Sequence, residues 1–185
     1  MPSAVEIANL ALYQIGDSTI TSFDDGNNRA NIVKAYYPVA RDSVLEEHSW
    51  NFAEKRATLA RVGGSTPEFD FDYFYQIPTD CLRVRKTDDS DYEWKVEGDK
   101  LLSDATIVKI LYTKKEEDTN RFSPLFVEAL MYKLASLIAE PIRKDKNLAE
   151  HMIAKFKDTI SIAKGVDAVQ GKQQEFIADE LTSVR

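Results

Sequence analysis

Apolar residues recur every three or four positions at both ends of this chain and every second position in its middle. From Ser3 to Ile15 the residues Val5, Ala8, Leu12 and Ile15 keep helical spacing, and Gly16 follows as a helix stop. Asp17 to Asn28 is a polar connection with Asp25-Gly26 as its turn. A longer helical pattern spans about Arg29 to Ser49, with Val33, Tyr37, Ala40, Val44 and Leu45 on its apolar face. Pro38 lies inside it and predicts a kink or a short break.

After Trp50 the period falls to two. Leu82-Arg83-Val84-Arg85 alternates, as does Tyr92-Glu93-Trp94-Lys95-Val96-Glu97, and Gly98-Asp99 turns that run into Lys100-Leu101-Leu102 as a hairpin. Thr106 to Thr113 is β-branched and apolar, the pattern of a central strand. Phe69 to Gln76 alternates aromatic with acidic residues. The block predicts one antiparallel sheet. Helix returns at Ser123-Pro124, a residue pair suited to N-cap and first turn. Leu125 to Ile138 is apolar almost all round, which predicts a central helix that Pro141 ends or bends. Asp145 can cap a last helix with a stripe of Leu148, Met152, Phe156, Ile160 and Ala163.

This order predicts an α+β fold: a four-helix bundle split in sequence, with an inserted antiparallel β-sheet domain and an extended C-terminal tail. The boundaries are residues 1–50 and 120–169 for the bundle, 51–119 for the β domain and 170–185 for the arm. At the corner, Trp50 and Phe52 stand two apart. On a strand they would share one face and plug the seam between bundle and sheet.

Composition narrows the function. The chain has 185 residues and a net charge of −7, which disfavours a broad basic surface clamping DNA phosphates. Cys81 is the single cysteine, so no disulfide or CxxC motif exists within the chain, as suits a reducing compartment. The N-terminus lacks the basic and apolar regions of a secretory signal. The most apolar stretch, Leu134 to Ala139, is far shorter than the ~20 residues of a membrane helix, so a soluble protein is expected.

Candidate chemistry is sparse. The histidines are His48 and His151, without a nucleophile elbow. Cys81 reads as a small buried thiol. Asp24-Asp25-Gly26-Asn27-Asn28 and Asp88-Asp89-Ser90-Asp91 are acidic turns without the ligand spacing of a calcium loop. Gly63-Gly64-Ser65 lacks the lysine of a phosphate loop. Glu46, Glu47 and Glu54 lie near Trp50 and Phe52, where an aromatic-lined acid pair would suit a glycosidase. Arg83, Arg85 and Lys86 with Tyr92 and Trp94 could stack single strands, although such hairpin aromatics more often face the core. Phe176, Ile177, Leu181 and Val184 repeat at helical spacing after a polar spacer, as in an arm that docks on a neighbour. No catalytic, metal or cofactor residue is expected.

A whole-chain pattern is more specific. It comprises Ala11-Leu12 with Ile15-Gly16, then Tyr37, Ala40-Arg41-Asp42 and Val44-Leu45. Trp50-Asn51-Phe52-Ala53, Arg56-Ala57 and Leu59-Ala60 follow, then Tyr75 to Val84 (YQIPTDCLRV), Val96-Glu97-Gly98 and Leu111-Tyr112. It ends in Phe126-Val127-Glu128-Ala129-Leu130, Leu134-Ala135, Ala163-Lys164 and Asp167-Ala168. Together these resemble the tail tubular protein A family, the head-to-tail adaptors of short-tailed bacteriophages. The resemblance covers most of residues 4–169.

It implies a structural virion protein without catalysis, made in the host cytoplasm and placed in the tail or neck. Such subunits form a ring, a dodecamer, between the portal protein and the tail nozzle protein, and genomic DNA passes through its lumen. By the same resemblance the arm with Phe176, Ile177, Leu181 and Val184 faces the portal. Loops 61–72 and 86–91, with Gly63, Gly64, Asp88 and Asp89, face the nozzle. The alternative is a tail-associated peptidoglycan hydrolase, which would need two carboxylates roughly 5 to 9.5 Å apart in a cleft near Trp50.

Overall fold

The computed structural model describes residues 2–89 and 91–170; the arm residues Phe176, Ile177, Leu181 and Val184 lie outside this range. Among the described residues the fold is α+β, with four α-helices and two antiparallel sheets. The helices are α1 (Ala4–Gln14), α2 (Asn28–Glu47), α3 (Pro124–Arg143) and α4 (Lys146–Val169).

Their starts are set locally. The Ser3 hydroxyl accepts from the Glu6 N–H and the Glu6 carboxylate accepts from the Ser3 N–H, a reciprocal cap on α1. Asn27, Ser123 and Asp145 cap α2, α3 and α4 through the N–H groups of Ala30, Phe126 and Leu148. Helix α2 runs unbroken through Pro38, and α3 runs through Pro141 to Arg143, where Lys144 takes a left-handed conformation and stops it. The packing of α2 on α3, and of α3 on α4, overrides the interruption that local sequence predicts. Helices α1, α2 and α4 each pack on α3, whose side chains from Phe126 to Ala139 supply much of the core. Fully burying each leucine, isoleucine or phenylalanine there contributes about 1.5–3 kcal/mol.

The middle of the chain forms two sheets where the sequence pattern predicts one. The strands are β1 (Glu54–Thr58), β2 (Ala60–Arg61), β3 (Tyr73–Gln76), β4 (Cys81–Thr87), β5 (Trp94–Glu97), β6 (Lys100–Ser103) and β7 (Lys109–Lys114). One sheet has the order β1-β7-β4 and the other β2-β3-β6-β5. The hairpin forms as expected: Glu97 pairs with Lys100 around Gly98-Asp99, and Gly98 sits at φ 60°, where glycine is at ease. The strand expected from Thr106 begins at Lys109 and is central in its sheet; the one expected from Phe69 begins at Tyr73.

The sheets share a second core of Leu59, Tyr75, Leu101, Ala105, Val108, Ile110 and Tyr112. Inside it the Tyr75 hydroxyl donates to the Ala105 carbonyl. Trp94 packs half-buried against this core, whereas Tyr92 precedes β5 and is exposed, contrary to the expectation that both aromatics face inward.

Two bulges in β4 tie the β1-β7-β4 sheet to the helices. Cys81 pairs with Lys114 and Arg83 with Thr113, so Leu82 is an extra residue; Val84 pairs with Tyr112 and Lys86 with Leu111, so Arg85 is another. Leu82 packs on the helical core and Arg85 reaches the end of α2.

Candidate functional site at the joint between helices and sheets

The segment His48 to Ala53 closes α2 and opens β1. Asn51–Ala53 is a single 3-10 turn rather than strand, so Trp50 and Phe52 do not share a strand face. They meet all the same. Their rings stack at 6.0 Å, and Phe126 of α3 meets both edge-on, at 5.1 Å from Trp50 and 5.0 Å from Phe52. Phe122 adds a contact to Phe52 at 5.7 Å. Trp50 is 0% exposed. The pair thus packs in the helical core, against Phe122 and Phe126.

Helix α2 ends in extended backbone at His48 with no glycine cap, so its last carbonyls need outside donors. Trp50 Nε1–H donates to the Val44 carbonyl at 2.8 Å. The Arg85 guanidinium donates to the carbonyls of Glu46 at 3.1 Å and His48 at 2.6 Å, and to Thr113 Oγ1 at 2.7 Å. A cation at a helix C-terminus is also favoured by the helix dipole. Arg85 is thus a clamp between α2 and the β1-β7-β4 sheet rather than part of a stacking platform.

Asp167, near the end of α4, completes the joint. Its carboxylate accepts from the Asn51 N–H at 3.2 Å and lies 3.2 Å from His48 Nε2, while its carbonyl accepts from Asn51 Nδ2 at 2.8 Å. A carboxylate only accepts, so a hydrogen bond between the two requires the proton on His48 Nε2. Burial holds the His48 imidazole below its usual value; Asp167 pulls it up, and Lys164 and Arg85 push it down. The sequence pattern singles out neither Asp167 as a buried anchor nor its pairing with His48. An acidic residue on the buried stripe of α4, four after Ala163, was the available signal.

The other candidates find mundane partners. Glu47 pairs with Lys164 at 2.9 Å and Glu54 accepts from the Ser49 hydroxyl at 2.8 Å. Trp50 lies beneath the surface. Cys81 is half-buried, and burial, then Asp80, pushes its thiol up to about 11, so it stays protonated at neutral pH. Asp25 accepts from the Thr21 N–H and hydroxyl, and Asp24 pairs with Lys34. Asp88 pairs with Lys109 at 3.1 Å, and Asp89 Oδ1 accepts from the Asp91 N–H. Gly63 and Gly64 lie in the connection between β2 and β3, with Gly64 at φ 82°. Among the described residues no group of three or more His, Cys, Asp or Glu could hold a metal ion, and no helix is long and apolar enough to cross a membrane.

No protein-family model matches the chain. A search of curated proteins gives no match either.

Proposed function

We propose that this chain is a structural subunit of a head-to-tail adaptor ring in a short-tailed bacteriophage, joining the portal protein to the tail nozzle protein around the exiting DNA. In this reading the helices form a bundle split in sequence, the sheets form an inserted domain, and residues 170–185 are an arm toward the portal. The observation that carries it is where the resembling segments lie. Arg41-Asp42 and Val44-Leu45 belong to α2, Trp50 to Ala53 to the corner, Cys81 to Val84 to bulged β4, and Asp167 to the end of α4. These are remote in sequence, yet the corner, α2, β4 and α4 are linked by hydrogen bonds or packing. A subunit held between two partners needs its two parts fixed to each other, and this joint does that.

Ring subunits meet head to tail through different faces, and many copies multiply a weak individual grip. The net charge of −7 suits a lumen that does not retain DNA. Negative-stain microscopy of the full chain mixed with its portal protein tests the reading. A closed ring seated on the portal is expected; a chain that stays monomeric and unbound overturns it. Lysis of peptidoglycan in a zymogram, lost on Glu54→Gln with folding intact, would overturn a purely structural role.

A further inference from the structure

The β1-β7-β4 sheet has one face turned to the second core, through Ile110 and Tyr112, and one turned away from it. On the outward face Arg56, Leu111 and Lys86 form one row across the three strands. Lys109 stands in the next row, paired with Asp88. These residues line an open groove of about 410 Å³ with partly apolar walls. Arg56 and Lys86 are exposed and make no ion pair among the described residues. In a chain of net charge −7 this is an uncompensated cationic patch.

Its complement stands on the same chain. The connection between β2 and β3 carries Glu68-Phe69-Asp70-Phe71-Asp72. Phe69 is 76% exposed, the most exposed large apolar side chain among the described residues. The backbone around it is not slack. Asp70 sits at φ 68°, unusual for a residue other than glycine, and the Phe71 N–H donates to the Phe69 carbonyl at 2.9 Å, a γ-turn. Such strain persists where it holds a side chain in a particular presentation. Glu68, Asp70 and Asp72 are all exposed, and none makes an ion pair among the described residues.

We infer that the Phe69 loop of one copy docks in the Arg56–Lys86 groove of the next, with Phe69 against Leu111 and its flanking carboxylates toward the two free cations. The contact joins two different patches, so it is heterologous and propagates head to tail. The inference rests on the ring reading and names the contact between its subunits. It moves this loop from the nozzle, where the resemblance places it, to the neighbouring copy. A phosphate backbone is the lesser fit, because Asp88 stands among the groove's cations and the walls are partly apolar.

The test places a photo-crosslinking amino acid at Phe69 in the full chain and maps the products by mass spectrometry, with native mass spectrometry for stoichiometry. Crosslinks to peptides holding Arg56, Lys86 or Leu111 of a second copy are expected, with at least tenfold loss in Arg56→Glu/Lys86→Glu. Restored crosslinking when that variant is mixed with Asp70→Lys/Asp72→Lys chains shows that charge, not misfolding, caused the loss. Rings with crosslinks elsewhere, including on the nozzle protein, overturn this contact and leave the ring reading standing. Expected crosslinks in a closed dimer that never binds portal support the contact and overturn the ring. Tight binding of a short DNA duplex, lost in Arg56→Glu/Lys86→Glu without change in self-association, assigns the groove to nucleic acid and overturns the inference.

Discussion

His48 Nε2 and the Asp167 carboxylate, 119 residues apart, meet at 3.2 Å and lock the end of α4 to the end of α2. The geometry makes the joint sensitive to protonation at His48. Because burial depresses the His48 pKa in the fold, the unfolded chain binds a proton first as pH falls below about 6.5. The unfolded state then holds more protons than the native state, so stability falls with falling pH through that window. It levels off below the depressed native value. Urea denaturation between pH 7.5 and roughly 5 should show this slope, and His48→Gln should flatten it. An unchanged slope in the variant would place the sensitivity elsewhere.

Asp167 opposes the depression. Replacing it with asparagine keeps the shape but removes the charge that favours the imidazolium. The His48 titration followed by NMR should move lower still in Asp167→Asn. A rise would show that the two groups are not paired in solution.

Trp50 is fully enclosed, stacks on Phe52 and meets Phe126 edge-on. Trp50→Ala should cost about 3–5 kcal/mol of folding free energy in chemical denaturation. A loss below about 1 kcal/mol would mean that the corner is open and available to a partner.

Arg85 satisfies two terminal carbonyls through Nη2 and the Thr113 hydroxyl through Nε. Arg85→Ala should cost about 1.5–3 kcal/mol, the range for hydrogen bonds to charged groups. Arg85→Lys should recover only part of it, since one ammonium cannot take the place of both Nη2 at the two carbonyls and Nε at Thr113 Oγ1. Full recovery would show that charge alone matters.

Tyr37 offers the opposite case. Among the described residues its hydroxyl is buried without a hydrogen-bond partner, and burial pushes its pKa up to about 12. Tyr37→Phe removes an unsatisfied polar group and keeps the ring against Phe23. Melting should show a variant as stable as the parent or more stable, by up to about 1 kcal/mol. A clear loss of stability would reveal a water or partner bound at that hydroxyl.

The sequence by itself determined the features whose causes are local. Ser3, Ser123 and Asp145 cap helices through N–H groups three residues on, and Gly98-Asp99 turns a hairpin, because each needs only its chain neighbours. The near-uniform apolarity of Leu125 to Ile138 likewise announced the central helix, since such a surface can only be buried. The 3-10 turn that carries Phe52 beside Trp50 was not legible, because α3 supplies the surface they close on. Only the tertiary structure decided that the strands divide into two sheets, that Leu82 and Arg85 bulge from β4, and that Asp167 meets His48. Each depends on a partner far along the chain. A period of two says which side chains alternate, not which strand they pair with, and a carboxylate on a helix stripe does not name the histidine that will face it.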